Sequence, residues 1–157
     1  MGPEEIIAAY RLERHPEGGW FREVHRSPLP LVGIPGYPGA RPAFTAIYFL
    51  LARGDFSAFH RLRSEEAWVH LAGDPLEMIL LGGQLRRIRL SHAAEGGAPF
   101  AVVPAGKLQA ARSFGEYTLS VCLVSPGFDF ADFAIPSREE LLREYPDRRE
   151  LILAFTR

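Results

Sequence analysis

Gly54-Asp55-Phe56-Ser57-Ala58-Phe59-His60-Arg61-Leu62-Arg63-Ser64-Glu65-Glu66-Ala67-Trp68-Val69-His70-Leu71-Ala72-Gly73 is the stretch on which the fold turns. It is bounded by glycines, and its second half, Ala67 to Leu71, has the alternation of a β-strand. Along a strand, successive side chains point to opposite faces, so Glu66, Trp68 and His70 share one side. His60 and Leu62 share a parity of their own. Arg61 falls between them and points the other way, which suits it to pairing with a carboxylate rather than to holding a ligand.

The chain around this stretch reads almost wholly as short strands. Ala43 to Leu51 precedes it, and Leu76 to Leu81 follows, joined to Gln84–Leu90 through Gly82-Gly83, whose tolerance of positive φ suits a tight hairpin. Phe100–Val103 and Tyr117–Val124 add two more, separated by Pro104-Ala105-Gly106 and closed by Ser125-Pro126-Gly127. Upstream, Trp20 to Arg26 alternates with period two, and the crowded prolines and glycines of Ser27–Pro42 predict a long surface loop without regular structure. Many short strands with frequent turn signals imply a sandwich or small barrel, not a βαβ sheet. Helix is confined to the ends. Pro3 to Arg14 has Pro near its start and Glu4 and Glu5 in the first turn, and His15-Pro16-Glu17-Gly18-Gly19 breaks it. Ser137 with Glu140, and Asp147 with Glu150, have capping-box spacing, predicting two short helices split at Pro146.

Composition narrows the partners. The 157 residues suit one domain over 1–157, and 47% apolar content supplies its core. A net charge of −1 offers no excess of cations for nucleic acid or an anionic membrane, and neither is expected as a partner. The longest apolar run, Ala43–Ala52, is far short of the ~20 residues that cross a bilayer. One cysteine, Cys122, excludes an internal disulfide, and the opening Gly-Pro-Glu-Glu lacks signal-peptide character, so a cytoplasmic location is expected. Arg86, Arg87 and Arg89 split between two strand faces and form no broad basic stripe. No phosphate-binding glycine loop or nucleophile elbow is present.

The opening stretch resembles the first motif of the cupin superfamily: Gly54, five residues, His60, one residue, Leu62, three residues, Glu66, six residues, Gly73. Pro104-Ala105-Gly106-Lys107-Leu108-Gln109 resembles the second. Together with His15-Pro16-Glu17-Gly18-Gly19-Trp20-Phe21, Thr45-Ala46-Ile47-Tyr48-Phe49-Leu50 and Pro126-Gly127-Phe128-Asp129-Phe130, they are similar to the cupins of domain-of-unknown-function group 985 (cupin type 5). The resemblance implies an all-β fold, a double-stranded β-helix or jelly-roll barrel with short N- and C-terminal helices, usually a homodimer, with a pocket between the two motifs. It does not select a reaction.

Metal-binding cupins generally offer three histidines and a glutamate. This chain has His60 and Glu66 but puts Leu62 and Gln109 at the other two positions, leaving His60, Glu66 and Gln109 as a weak set for a divalent ion. His70 does not repair it, because four strand residues separate its Cα from that of Glu66 by roughly 13 Å. No cofactor is therefore expected. The alternative is proton chemistry: a His60–Glu66 pair inside the barrel, with His60 as a general base near neutral pKa and Glu66 as its partner. The competing reading leaves the pair as remnants of a metal site that satisfy one another.

Trp68, His70 and Gln109 are the candidate ligand-binding residues, Trp68 as a stacking wall or else as core, Gln109 as a hydrogen-bonding amide. Cys122 reads as a small buried thiol, and Asp129 and Asp132 as structural. Strand Trp20–Arg26 and the loop after it are candidates to complete a second subunit's sheet. The function this predicts is binding of a small polar organic ligand, sugar-like or nucleotide-sugar-like, with metal-independent epimerase or isomerase chemistry. The alternatives are a non-catalytic binding module and a metal-dependent oxygenase.

Overall fold

A computed structural model describes all residues, 1–157. Helix α1 (Pro3–Tyr10) stops at Arg11, which turns into the left-handed region at φ 54, so it is shorter than the Pro3–Arg14 expected. Strands β1 (Glu13–Arg14) and β2 (Trp20–Arg26) follow, then the minimal ladder of β3 (Pro30–Leu31) with β4 (Arg41–Pro42), the only regular piece of the long loop. Next come β5 (Thr45–Ala52), β6 (Ser57–Leu62), β7 (Glu65–Gly73), β8 (Leu76–Leu81), β9 (Arg86–Leu90), β10 (Phe100–Val103), β11 (Leu108–Ser113), β12 (Tyr117–Ser125) and β13 (Phe133–Ala134). Helices α2 (Arg138–Glu144) and α3 (Arg149–Ala154) end the chain.

The strands form two antiparallel sheets, ordered β1-β2-β5-β12-β7-β10 and β13-β6-β11-β8-β9. Their inner faces meet in one core, where Phe49, Trp68 and Cys122 of the first sheet pack with Met78, Leu80 and Ala111 of the second. The outer face of the second sheet is covered as well, because Leu141, Ile152 and Phe155 of the C-terminal segment cover Phe59, Ile79 and Leu108. That explains the unbroken apolar run of β8. Both of its faces are buried, whereas a half-exposed strand would alternate. Ile6 and Leu12 cover Leu50 and Leu119 on the outside of the first sheet. Burial on this scale stabilises by about 1.5–3 kcal/mol for each large side chain.

Two bulges set the site. In β2, Val24 has no partner on β5, since Glu23 pairs with Ile47 and His25 already with Ala46. In β6, Gln109 pairs with His60 and Ala111 with Ser57, so two residues of β11 span three of β6 and Ser57 and His60 face the same way.

Turn chemistry was only partly readable. Gly82 and Gly83 both take positive φ, but β9 starts at Arg86 rather than Gln84, so the connection is longer than a two-residue hairpin. The Ser137–Glu140 capping box forms, with both of its hydrogen bonds. The Asp147–Glu150 box does not, because Pro146–Arg148 winds as a 3-10 turn and α3 begins uncapped at Arg149. No helix is long and apolar enough to cross a membrane.

Candidate active site

A cavity of about 380 Å³ opens at one end of the barrel. Its floor carries His60, Glu17, His15, Glu66 and Cys122, and its walls are Ile47, Leu62 and Val124. Phe21, Phe128, Phe130 and Phe133 supply aromatic surface, and Glu23, Arg26 and Asp129 stand at the mouth. The β2 bulge is why Phe21, Glu23 and Arg26 all line the cavity despite their mixed parity.

His60 is 2% exposed, and its Nδ1 lies 2.6 Å from Glu17 Oε2 and 2.8 Å from the Ala58 carbonyl. Both neighbours accept, so Nδ1 carries the hydrogen and Nε2 is the nitrogen left without a protein partner. Glu17 is positioned in turn by the Ser57 hydroxyl, which donates to Oε2 at 2.7 Å. The β6 bulge supplies both of these contacts from one strand. The direct partner of His60 is therefore Glu17, not the Glu66 expected from the sequence, and the correction has a plain cause: the loop after α1 carries a carboxylate into the barrel next to β6.

Burial alone lowers the His60 pKa, but the charge and hydrogen bond of Glu17, with help from Glu66 and the Ala58 carbonyl, outweigh it and raise the pKa to about 9. At neutral pH the ring is an imidazolium, and its Nε2–H is a proton donor rather than the base expected. Burial pushes Glu66 up, His60 opposes this, Glu17 reinforces it, and the net result is a pKa of about 7. Burial likewise favours the protonated form of Glu17, but the charge and hydrogen bond of His60 prevail and its pKa is lowered. His15 is lowered chiefly by burial. Its Nδ1 accepts the Glu17 backbone N–H at 3.2 Å, so the 3.3 Å approach of that nitrogen to Glu17 Oε1 is a neutral imidazole beside a carboxylate, not an ion pair. The Cys122 thiol is pushed well up, first by burial and then by the two glutamates, and is inert as a nucleophile.

Gln109 donates from Nε2 to Glu66 Oε1 at 3.0 Å, and no protein group closes a hydrogen bond on Oε2. Gln109 therefore orients the carboxylate and is not among the residues lining the cavity. Nor is Trp68, which is 1% exposed and packs edge-on against Phe49 at 5.5 Å. Its indole N–H favours the ionised form of Glu66 without closing a hydrogen bond of normal geometry. His70 lies further down the strand, where Nε2 meets the Asp74 carbonyl at 3.2 Å, and it too is absent from the lining. Glu66, Trp68 and His70 share the inward face that their parity predicts, but only the first reaches the cavity. Arg61 points outward to Glu144 at 3.0 Å.

Sequence reasoning missed Glu17, His15 and the aromatic rim. His15-Pro16-Glu17-Gly18-Gly19 serves in the sequence as a helix breaker and as a block of the family resemblance but points to no role for Glu17, and the signal that finds Glu17 is a carboxylate and an imidazole between two breakers, where polar side chains are free to turn inward. Asp132 is structural as expected, bridging Arg41 at 2.8 Å and Arg63 at 3.0 Å. Asp129 both caps the turn at Phe130–Asp132 and reaches the cavity mouth.

The donor set does not suit the ion of metal-binding cupins. Leu62 lines the cavity with no donor atom, Gln109 turns its amide N–H₂ to Glu66 and is not in the lining, and no group of three or more His, Cys, Asp or Glu is arranged around a common point.

Two facing antiparallel sheets with a cavity at one end are the architecture of the cupins. The family described as Cupin superfamily (DUF985) matches residues 4–136, and the chain belongs to it. Among solved structures, a hypothetical protein from Leishmania major is 31% identical with a TM-score of 0.92, over 99% of both chains. A protein from Shewanella oneidensis is 34% identical with a TM-score of 0.89, over 100% of this chain and 98% of that one. The capsular polysaccharide assembling protein CapF of Staphylococcus aureus is 11% identical with a TM-score of 0.59, over 79% of this chain and 31% of that one, a likeness of fold alone. No curated protein matches the chain.

Proposed function

We propose that the cavity binds a small hydroxylated carbonyl compound and moves a proton at the carbon beside the carbonyl, as a metal-independent epimerase or isomerase does. Glu66 takes the proton from carbon while His60 Nε2–H gives one to the carbonyl oxygen, forming an enediol. Glu66 then returns the proton to the neighbouring carbon while the hydroxyl on the first carbon gives its proton to His60 Nε2, which shifts the carbonyl by one carbon and restores both groups. Return to the first carbon on its opposite face, after the enediol turns over in the cavity and with the enol hydroxyl reprotonating His60, gives the epimer. The observation that carries this reading is that Glu17 and the Ala58 carbonyl occupy His60 Nδ1, leaving Nε2 unpartnered on a cavity floor that Glu66 shares. Preorganised donor and acceptor in a partly apolar cavity are what enolisation requires.

Charge narrows the ligand. Glu17, Glu23, Glu66 and Asp129 face His60 and Arg26, and Arg26 is already engaged by Glu23 at 2.7 Å and by the Phe128 carbonyl. A phosphate or nucleotide diphosphate would meet uncompensated carboxylates, so this reading favours a sugar-like ligand over a nucleotide sugar.

The test is loss of C–H signals beside the carbonyl when aldoses, ketoses and hydroxyketones are incubated with the protein in D₂O. Exchange in the wild type that falls by about 10²-fold or more in Glu66→Gln and His60→Asn supports the proposal. Saturable binding without exchange assigns the non-catalytic binding module instead.

Assembly is part of the same proposal. β1 covers β2 only at Trp20 and Phe21, which leaves the edge of Arg22–Arg26 unpaired beside the cavity mouth. Pairing with a second copy would bury that edge, and a monomeric mass in solution would remove this reading.

A further inference from the structure

Arg157 sits where three segments meet. Its guanidinium donates from Nη1 to the Glu17 carbonyl at 2.9 Å, and from Nη2 to the Phe56 carbonyl at 3.0 Å and to Asp55 Oδ1 at 2.8 Å. It lies over the Phe56 ring at 4.0 Å from the centroid. Asp55 Oδ2 accepts the Gly19 N–H at 3.0 Å and Arg14 at 2.7 Å. The backbone on both sides of Gly18 is thus fastened from one side by a single guanidinium–carboxylate pair, while Ala58 N–H donates to the Glu17 carbonyl at 2.8 Å from the other.

Arg157 is itself fixed. The Phe155 carbonyl accepts the Phe59 N–H at 3.0 Å, joining the segment to β6 one residue before His60. Arg138, in the first turn of α2, donates to Thr156 Oγ1 at 2.7 Å and to its carbonyl at 2.8 Å. Neither Arg157 nor Asp55, Arg138, Phe155 or Thr156 lines the cavity, and residues 137–157 lie beyond the stretch that the family matches.

We propose that Arg157 is a positioning residue: it holds the backbone of Glu17 against β6 so that the Glu17 carboxylate stays seated on His60 Nδ1. The geometry favours this over a merely structural role. The Arg157–Asp55 pair has a side chain 47% exposed, and an ion pair in that setting contributes little to global stability. Its two bonds to backbone carbonyls, by contrast, bear directly on the loop that carries Glu17, and the carboxylate has only Ser57 and His60 to seat it at the other end. The inference rests on the reading of His60 as the proton donor of the cavity, but it concerns the His60–Glu17 geometry and not the identity of a substrate.

The experiment is the titration of the His60 imidazole by NMR in the unliganded protein, for the wild type, Arg157→Ala, Arg157→Lys and the control Arg61→Ala, whose partner Glu144 is on α2. The charged and titratable groups facing His60 are Glu17, Glu66 and His15, and none of the three is substituted in any variant. Arg157→Ala is expected to lower the His60 midpoint by about one pH unit, a tenfold loss of proton affinity, with Arg157→Lys in between and Arg61→Ala unchanged. An unchanged midpoint in folded Arg157→Ala overturns the proposal, as does an equal shift in Arg61→Ala. If the alanine variant does not fold, an unchanged midpoint in folded Arg157→Lys does the same. Because the titration needs no ligand, absence of carbonyl exchange would remove the proposed activity while leaving this result standing.

Discussion

The Glu17 carboxylate meets His60 Nδ1 at 2.6 Å, reaching from the loop after α1 to the bulged strand β6. The contact decides the protonation state of the cavity floor. A carboxylate on one ring nitrogen raises proton affinity at the other and fixes the ring's orientation, so the His60 pKa rises to about 9 while burial raises that of Glu66 to about 7.

Glu17→Gln removes the charge that opposes burial at His60. Its midpoint is expected to fall from about 9 to below the ordinary 6.5, because burial then dominates. Imidazole NMR across the pH range reads the change, and a midpoint that stays near 9 would show that another group holds the proton.

Stability should decline on the alkaline side. The folded His60 pKa lies above 6.5, so the stability it contributes is fully present below 6.5 and is lost as pH rises through about 9. Glu66 is raised from 4.5 to about 7, so its contribution has the same sign and falls between those values. Glu66→Gln removes that second decline and should raise stability at pH 8 relative to the wild type, on the order of 1–3 kcal/mol. Urea midpoints at pH 5 and pH 8 give the comparison. Glu17 and Asp132, both lowered, act in the opposite sense and lose their contribution on acidification.

Gly18→Ala should damage the site and the fold together. Gly18 has φ +106, and a Cβ there would lie 2.0 Å from the Phe56 carbonyl oxygen and 2.6 Å from Arg157 Nη2. The backbone must move, at a cost of about 2 kcal/mol or more, and Glu17 moves with it. Thermal denaturation and the His60 titration are expected to shift together.

Asp132→Asn leaves Arg41, with a side chain only 6% exposed, without its ionic partner. Loss of the carboxylate from one side of this pair is read as a lowered urea midpoint. Because Asp132 anchors the turn between Phe130 and Phe133, ligand affinity should fall with it.

Zinc, manganese or ferrous iron at millimolar concentration, or a chelator, should leave Tm unchanged. A ligand that binds only the folded state must raise it, and Leu62 and Gln109 supply no coordinating atom to the floor.

The barrel was legible because its signals are local. The parity of Glu66, Trp68 and His70, the Ser137 cap and the closure of Tyr117–Ser125 by proline and glycine each depend on residues adjacent in sequence. The site was less so, because its decisive features come from bulges. Val24 shifts β2 by one residue and puts Arg26 at the cavity mouth, and the extra residue in β6 puts Ser57 beside His60. Period-two reasoning assumes a regular ladder and fails where one residue is inserted. Gln109 illustrates the remaining limit: its position beside Glu66 could be anticipated, but which end of its amide would be used, and by whom, is a matter of packing.

The skipped beat in β2 separates the cavity's entrance from its floor. Glu23 and Arg26 reach the entrance from a strand that contributes no residue to the floor of His15, Glu17, His60, Glu66 and Cys122, so substitutions there change the charge of the mouth while leaving the His60–Glu17 contact intact.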